Sequence, residues 1–265
     1  MPDRTGLVQR PNGTRTLRTI AALVLREMST SYGRNIVGYL WAVLEPVAGI
    51  ILITVVFTVV FRAPPIGTSF ALFYASGLLP FLAYMDISQK VATSLRFSRA
   101  LLAYPGVTYF DALMARWLLN ALTQIMVFTL VLGTIIIGSG VEVILDIPAI
   151  CLGGAMVLAI ALGVGAMNCL LQSLFPVWER IWGILNRPML ILTCVFFPLA
   201  SVPEPYRSWL WWNPLVHVVG QIRKGIYPTY AGDYLSPVYV FGVSLGLLAL
   251  ALLLLNRFHS DIVNR

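Results

Sequence analysis

Few residues of this 265-residue chain could carry out catalysis, and their spacing argues against the common catalytic sites. Neither of its two lysines, Lys90 and Lys224, is followed by Ser or Thr, so no P-loop sequence is present to bind nucleotide phosphates. The carboxylates are scattered, and GxSxG and HExxH sequences are absent. His217 and His259 have no Cys or His neighbour at ligand spacing. The sequence therefore predicts no catalytic residue, no metal site and no P-loop of its own.

The composition is that of an integral membrane protein. Hydrophobic residues make up 58% of the chain and charged residues 11%, whereas charged residues are about a quarter of a typical soluble domain. Six apolar stretches approach the roughly 20 residues that cross a bilayer as a helix. They are Tyr39–Phe61, Phe70–Leu95, Leu113–Ile137, Ile147–Leu171, Ile181–Ala200 and Val238–Asn256. We expect an all-α fold with six transmembrane helices, of which the second and fifth carry internal charges and are candidates for broken or tilted helices.

The distribution of charge predicts the orientation of these helices. With six crossings, all of the 18 Lys and Arg residues except Arg62, Arg207, Arg223 and Lys224 fall on the same side as the two termini. By the positive-inside rule this side is the cytoplasm. The formal net charge of +7 is explained by this asymmetry, and we expect no nucleic-acid partner.

A short amphipathic helix is predicted before the first span. From Leu17 to Met28, apolar residues recur at helical spacing, as in helices that lie in the membrane interface. A helix packed on the cytoplasmic side is the alternative. We therefore divide the chain into a cytoplasmic N-terminus, residues 1–35, and a six-helix membrane domain, residues 36–265. Within the first span, Glu45 precedes Pro46 near the inner boundary, and either lines the mouth of a conduit or is a paired surface carboxylate.

Two loops are too apolar to be solvent-exposed connections without contacts of their own. The loop at residues 96–111 has an aromatic cluster on either side of Pro105-Gly106 and is expected to dock on a partner protein or to pack on its own helices. The second loop, Ser201–Pro237, has two arms, neither long enough to cross the bilayer, around Asn213-Pro214. We expect a re-entrant hairpin with Trp209 and Trp212 at headgroup level, or a static interfacial one. Its Arg223 and Lys224 are expected to meet lipid phosphates or an anionic substrate.

Several stretches of the chain, taken in order, resemble the ABC-2 (type V ABC exporter) permease subunits of bacterial polysaccharide exporters, above all those for capsules. These stretches are Leu25-Arg26-Glu27-Met28 with Tyr32-Gly33, Gly38-Tyr39-Leu40-Trp41-Ala42-Val43-Leu44-Glu45-Pro46, Tyr104-Pro105-Gly106-Val107 with Asp111 and Ala115-Arg116, Phe196-Phe197-Pro198-Leu199, and Trp212-Asn213-Pro214-Leu215. O-antigen and teichoic-acid permeases share the overall pattern. The resemblance implies a homodimer in the bacterial inner membrane that exports a lipid-linked polysaccharide.

By the same resemblance, two cytoplasmic ATPase subunits bind ATP and magnesium, and further partners act in the periplasm and outer membrane. The segment at about 100–111 would be the coupling helix, with contacts from Tyr104, Pro105, Val107, Thr108, Tyr109, Phe110 and Asp111. The amphipathic helix and the start of the first span would form the inner gate, through Arg26, Tyr39, Trp41 and Glu45. The loop at about 201–237 would supply periplasmic gate helices, with Trp209, Trp212, Asn213, Pro214, Arg223 and Lys224.

Aromatic residues are the candidates for contact with a sugar polymer, because flat CH faces of sugars stack on aromatic rings. Tyr74, Phe81 and Tyr84 fall near one face of the second span and are predicted to line the conduit. Lipid contact is the alternative for each of them. Two other classes of membrane protein are disfavoured. A secondary transporter would need inverted repeats, and these are not evident in the sequence. A membrane glycosyltransferase or phosphatase would need a catalytic lobe, which is not evident either.

Overall fold

The computed structural model describes residues 13–28, 36–98, 108–140 and 143–258, and within these ranges it is a bundle of α-helices without β-strands. The helices are α1 (Gly13–Glu27), α2 (Ile36–Val60), α3 (Phe70–Ala92), α4 (Ser94–Phe97), α5 (Tyr109–Ser139), α6 (Ile147–Leu174), α7 (Trp178–Asn186), α8 (Met189–Leu192), α9 (Tyr206–Trp211), α10 (Pro214–Ile226) and α11 (Pro237–Arg257), with a 3-10 turn at Leu199–Ser201. The predicted amphipathic helix before the first span is present as α1.

Local sequence sets where the long helices begin and end. Asp146 caps α6 by accepting a hydrogen bond from the Ala149 backbone N–H at 3.1 Å. Ser236 caps α11 through the Tyr239 backbone N–H at 3.3 Å, and Pro237 occupies its first position. Such caps satisfy backbone donors that have no partner within the helix. At its far end α5 stops at Gly140, whose φ of +60° is the left-handed conformation that ends many helices.

Helix α6 is the centre of the bundle, packed against α3, α10 and α11. Its small residues allow the helices to approach closely. A Cβ atom on Gly163 would lie 2.5 Å from the Ser244 carbonyl oxygen of α11, and one on Gly165 would lie 2.7 Å from Val91 of α3. Neither position accepts a larger residue without moving a neighbouring helix.

Two ends of the bundle serve as landmarks. At one end of the bundle α3 finishes and α5 begins, and we call it the arginine-rich end after Arg96 and Arg116. We call the opposite end the hairpin end, because α9 and α10 lie there. Helices α2, α5 and α7 start at the arginine-rich end, and α3, α6 and α11 start at the hairpin end.

Within the described ranges, five helices are long and apolar enough to cross a membrane: α2 from Leu40, α3, α5, α6 and α11. They correspond to the first four predicted spans and the sixth. The stretch Ile181–Ala200 is not one continuous helix, which confirms its prediction as a candidate broken helix. Helix α7 ends at Asn186, a short turn leads to α8, and Cys194 takes a φ of +57°, so this stretch is broken twice.

The broken stretch nevertheless extends from one end of the bundle towards the other. At the arginine-rich end, Glu179 pairs with Arg96 at 3.0 Å. Sixteen residues later, the Val195 carbonyl lies against Gly77 of α3. Helical residues between Gly77 and Arg96 cover about 28 Å at 1.5 Å per residue, close to the roughly 30 Å of a bilayer core.

Candidate functional site

A buried ion pair holds the arginine-rich end together. Arg116 of α5 donates from Nε to Glu27 Oε1 of α1 at 2.7 Å, and both side chains are more than nine-tenths buried. Its Nη1 donates to Thr93 Oγ1 at 3.2 Å, and its guanidinium lies 4.1 Å from the centre of the Phe97 ring. We call Glu27, Thr93, Phe97 and Arg116 the Arg116 cluster. It joins the amphipathic helix to both membrane helices that flank the predicted coupling segment.

The start of α5 is fixed by a reciprocal cap. Thr108 Oγ1 accepts from the Asp111 backbone N–H at 3.2 Å, and Asp111 Oδ2 accepts from the Thr108 backbone N–H at 3.0 Å. Such a capping box orders the first turn of a helix. Tyr109 packs on the core, whereas Phe110 is 38% exposed. The predicted docking residues Tyr104, Pro105 and Val107 lie outside the described residues, and docking itself stays a prediction.

The inner gate predicted for Arg26, Tyr39, Trp41 and Glu45 stays a prediction. Arg26 is exposed on α1, and Trp41 and Glu45 are exposed on the second and third turns of α2. Tyr39 lies at the start of α2, and its side chain is outside the described part. Trp41 is 61% exposed and therefore available to lipid, to a second subunit or to a substrate.

Tyr74, Phe81 and Tyr84 are covered by protein in this conformation. Their exposed fractions are 1%, 6% and 3%, and the Tyr74 ring lies 4.9 Å from that of Phe57. The spacing of the three residues does not identify a channel face because α3 is buried on almost every side. Contact with a polymer stays a prediction for them and requires the helices around α3 to separate.

The predicted hairpin consists of α9 and α10, with a break at Asn213. This residue caps α10 by accepting from the Leu215 backbone N–H at 3.0 Å, and Pro214 fills the first helical position. Its Nδ2 donates to the Leu192 carbonyl of α8 at 3.0 Å. The break in the hairpin is thus hydrogen-bonded to the broken stretch that precedes it. Trp209 and Trp212 are 69% and 67% exposed.

Arg223 does not face outward, which corrects its predicted role in meeting phosphates or an anionic substrate. The side chain is 0% exposed, and its guanidinium donates to the carbonyls of Cys194 at 2.8 Å, Val195 at 2.5 Å and Phe197 at 3.2 Å. It also lies 4.3 Å from the centre of the Phe73 ring. Arg223 therefore clamps the broken stretch to α10 and α3. Lys224, the next residue, is exposed and keeps its predicted outward position.

His217 is a second buried polar group of the hairpin. Its Nδ1 accepts from the Ser236 backbone N–H at 3.2 Å, so Nε2 carries the proton and donates to the Trp211 carbonyl at 2.8 Å. Burial lowers the pKa of His217, although the Trp211 carbonyl acts in the opposite direction. The neutral ring thus links the end of α9 to the start of α11.

The described residues contain no group of three or more His, Cys, Asp or Glu side chains placed to hold a metal ion. The contacts described above instead hold helices together. The Arg116 cluster joins the helices around the predicted coupling segment, and Asn213 and Arg223 bond the hairpin to the broken stretch at the other end.

Comparison with known families decides what kind of bundle this is. The sequence model of the ABC-2 type transporter family matches residues 18–227, from α1 to the end of the hairpin. This chain belongs to the ABC-2 transporter family.

Several characterised proteins are similar to this ABC-2 protein along most of its length. The polysialic acid transport protein KpsM of Escherichia coli is 31% identical over 222 residues, which cover 84% of this chain and 86% of KpsM. The capsule polysaccharide export inner-membrane protein CtrC of Neisseria meningitidis is 26% identical over 246 residues, 92% of each chain. The corresponding Haemophilus influenzae protein, BexB, is 24% identical over 246 residues, also 92% of each.

Reading the sequence missed the Glu27–Arg116 pair and His217 of this ABC-2 protein, and it predicted Arg223 in an outward position. Glu27 and Arg116 lie 89 residues apart, and nothing in either segment signals that they pair. Arg223 precedes Lys224 and looks like part of an exposed basic pair. A sequence signal did exist for His217, because it stands in the apolar run that follows Asn213-Pro214.

Proposed function

We propose that this chain is the transmembrane subunit of an ATP-driven exporter that moves a lipid-linked capsular polysaccharide across the bacterial inner membrane. The observation that carries the proposal is similarity, over at least 84% of the chain, to proteins named for polysialic acid transport and capsule polysaccharide export. In this proposal a separate cytoplasmic ATPase, one for each of two permease subunits, binds ATP and magnesium; the lack of a P-loop sequence in this chain supports the assignment.

In this proposal the arginine-rich end faces the cytoplasm and receives the motion of the ATPase. The positive-inside rule supports that orientation. The ATPase docks on the segment that leads into α5, with Phe110 at its described edge. Its movement reaches α1 through the Glu27–Arg116 ion pair and α3 through Thr93, because rigid contacts transmit displacement between helices.

We further propose six membrane passages, with the broken stretch from Trp178 to Phe197 as the fifth. Its length and its contacts with Arg96 of α4 and with Gly77 in the first half of α3 support this topology. With an even number of passages both termini lie on the same side, and the charge distribution supports the cytoplasm as that side. The hairpin α9–α10 then lies on the periplasmic side, re-enters the outer leaflet and acts as a gate, and Asn213 and Arg223 couple it to the fifth passage.

A second copy of the chain completes the proposed conduit. Helix α2 has membrane-spanning length but is little buried within one subunit, with Leu52, Val59 and Val60 among its exposed residues. A bundle helix that is hydrophobic all round and left uncovered is suited to contact with lipid or another subunit. We place the homodimer contact on this helix. Periplasmic and outer-membrane partners would receive the polymer beyond the gate.

Co-purification tests the proposal. The tagged chain, extracted from its native membranes, is expected to bring down a P-loop ATPase whose hydrolysis rate increases in the complex. A chain recovered repeatedly without any ATPase, from membranes in which the polymer is being exported, would contradict the proposal.

A further inference from the structure

A groove opens between α5 and α6, and no residue of α11 lines it. Trp117, in the first third of α5, donates from Nε1 to the Leu158 carbonyl near the middle of α6 at 3.0 Å, and the groove extends from Leu158 towards the hairpin end. The groove between them has a volume of about 540 Å³, with Pro80 and Ala83 of α3 on its floor. Its walls are almost entirely apolar.

The groove is as long as one half of a bilayer. Along α5 it runs from Gln124 to Ile136, and along α6 from Leu158 to Ile147. At 1.5 Å per residue these segments measure about 17 to 18 Å, against roughly 15 Å for one leaflet of a 30 Å hydrocarbon core. Its closed end is polar, because Gln124 donates there to Asp86 at 2.9 Å.

Such a groove is stable neither when filled with water nor when left empty. Apolar cavities do not hold water well, because water needs polar partners. An empty apolar space also deprives the atoms that line it of dispersion contacts. The groove therefore requires an apolar occupant.

We propose that the groove binds one acyl chain of a membrane phospholipid from the leaflet at the hairpin end. A transmembrane helix of a second copy is a poorer fit, because a spanning helix needs about 30 Å, whereas the groove is about 17 to 18 Å long. An acyl chain is confined to its own leaflet and ends where the groove ends. The bound chain fills the space between the helices and holds α5 apart from α6 at the hairpin end.

Photocrosslinking tests this site in membranes that contain the full-length protein. The probe is a phosphatidylethanolamine with a diazirine in the middle of one acyl chain, and adducts are located by peptide mass spectrometry. We expect adducts on the α5 and α6 walls. Gly133 and Gly154 line the groove and have no atom within 4 Å of an added Cβ, so Phe at both positions should fill it without disturbing the backbone.

The expected effect of Gly133→Phe with Gly154→Phe is a fall in groove labelling of about tenfold. This corresponds to the loss of contacts with about two methylene groups at roughly 0.8 kcal/mol each. Gly242→Phe with Gly246→Phe is the matched control, because these glycines of α11 are equally open but lie outside the groove. Labelling of the groove should be unchanged in that variant.

Two results would overturn the proposal. Uniform labelling of all lipid-facing helices, insensitive to the filling substitutions, would mean that only bulk lipid contacts the groove. Efficient Cys151–Cys151 cross-linking between two copies would mean that a second subunit occupies it, since Cys151 lies in the groove.

If the Gly133→Phe, Gly154→Phe variant fails to accumulate in the membrane, a separate measurement on the natural chain tests the proposed acyl-chain site. Cys151 is exposed, whereas Cys169 and Cys194 are buried. A spin label on Cys151 should therefore be relaxed by oxygen, which dissolves in lipid, and not by a water-soluble nickel chelate. Relaxation by the chelate would show a water-filled groove and contradict the proposal.

Discussion

Glu27 Oε1 and Arg116 Nε lie 2.7 Å apart in the interior of the arginine-rich end, with 7% and 8% of their side chains exposed. The pair joins an amphipathic helix at the edge of the bundle to a membrane helix that begins next to the predicted coupling segment. Its burial makes it different from a second inter-helix ion pair of the described residues, Arg96–Glu179, whose side chains are 64% and 43% exposed.

Removing one member of the buried pair should therefore be costly. Arg116→Gln leaves the Glu27 carboxylate buried without its counter-charge, and we expect a loss of about 3 to 5 kcal/mol in unfolding free energy. Thermal unfolding of the purified protein in detergent measures it. Arg96→Gln is the matched control and should cost no more than about 1 kcal/mol, because exposed pairs contribute little. Equal losses in the two variants would show that the buried pair has no special role.

The clamp formed by Arg223 predicts that substitutions at Arg223 and at the adjacent Lys224 have very different effects on stability. Arg223→Gln cannot satisfy three carbonyl oxygens, and each buried acceptor left unpaired costs about 1 to 3 kcal/mol. We expect severe destabilisation and loss of export. Lys224→Gln removes the neighbouring exposed charge and should change the stability by no more than about 0.5 kcal/mol. Wild-type melting of the Arg223 variant would show that the clamp is dispensable.

His217 predicts an acid-sensitive hairpin. The unfolded chain takes up a proton on this imidazole near the ordinary pKa of 6.5, whereas the folded chain resists protonation to a lower pH. Between the two pKa values the unfolded state binds more protons, so stability falls as the pH falls below about 6.5. His217→Gln should flatten this part of the stability curve, measured from pH 7.5 to 5.5, and His259→Gln should leave it unchanged. The same slope in both variants would assign the effect to other groups.

Phe110 is the better of the two aromatic positions for testing the docking of the ATPase. Its ring is already 38% exposed, so Phe110→Asp should leave the fold intact while removing an apolar contact from the partner surface. We expect the stimulation of ATP hydrolysis to be lost. Tyr109 packs on the core, and Tyr109→Asp would also disturb folding. Phe110→Leu should retain stimulation, and full stimulation by Phe110→Asp would place the docking surface elsewhere.

Reading the sequence found the elements that depend on local composition. Helices α2, α3, α5, α6 and α11 were predictable because runs of about 20 apolar residues have few alternatives to crossing a bilayer. The amphipathic spacing of α1 and the turn at Asn213-Pro214 are also local signals.

Features that depend on long-range contacts were not predictable in the same way. Hydropathy cannot show that the fifth apolar stretch stops being helical near Pro188 and again at Cys194. Nor can it distinguish a buried Arg223 from the exposed Lys224 beside it. The positions of Tyr74 and Tyr84 on α3 suggested an aromatic face, but that helix is enclosed by its neighbours, so no face is left open.

The most direct test of the proposed function is the location of the polymer when this chain is lost. In cells that produce the capsule, deletion of this gene should remove the polysaccharide from the surface and make it accumulate inside, still attached to its lipid. The wild-type chain should restore export, and the Phe110→Asp chain should not. A normal amount of capsule at the surface of the deleted cells, without internal accumulation, would contradict the account.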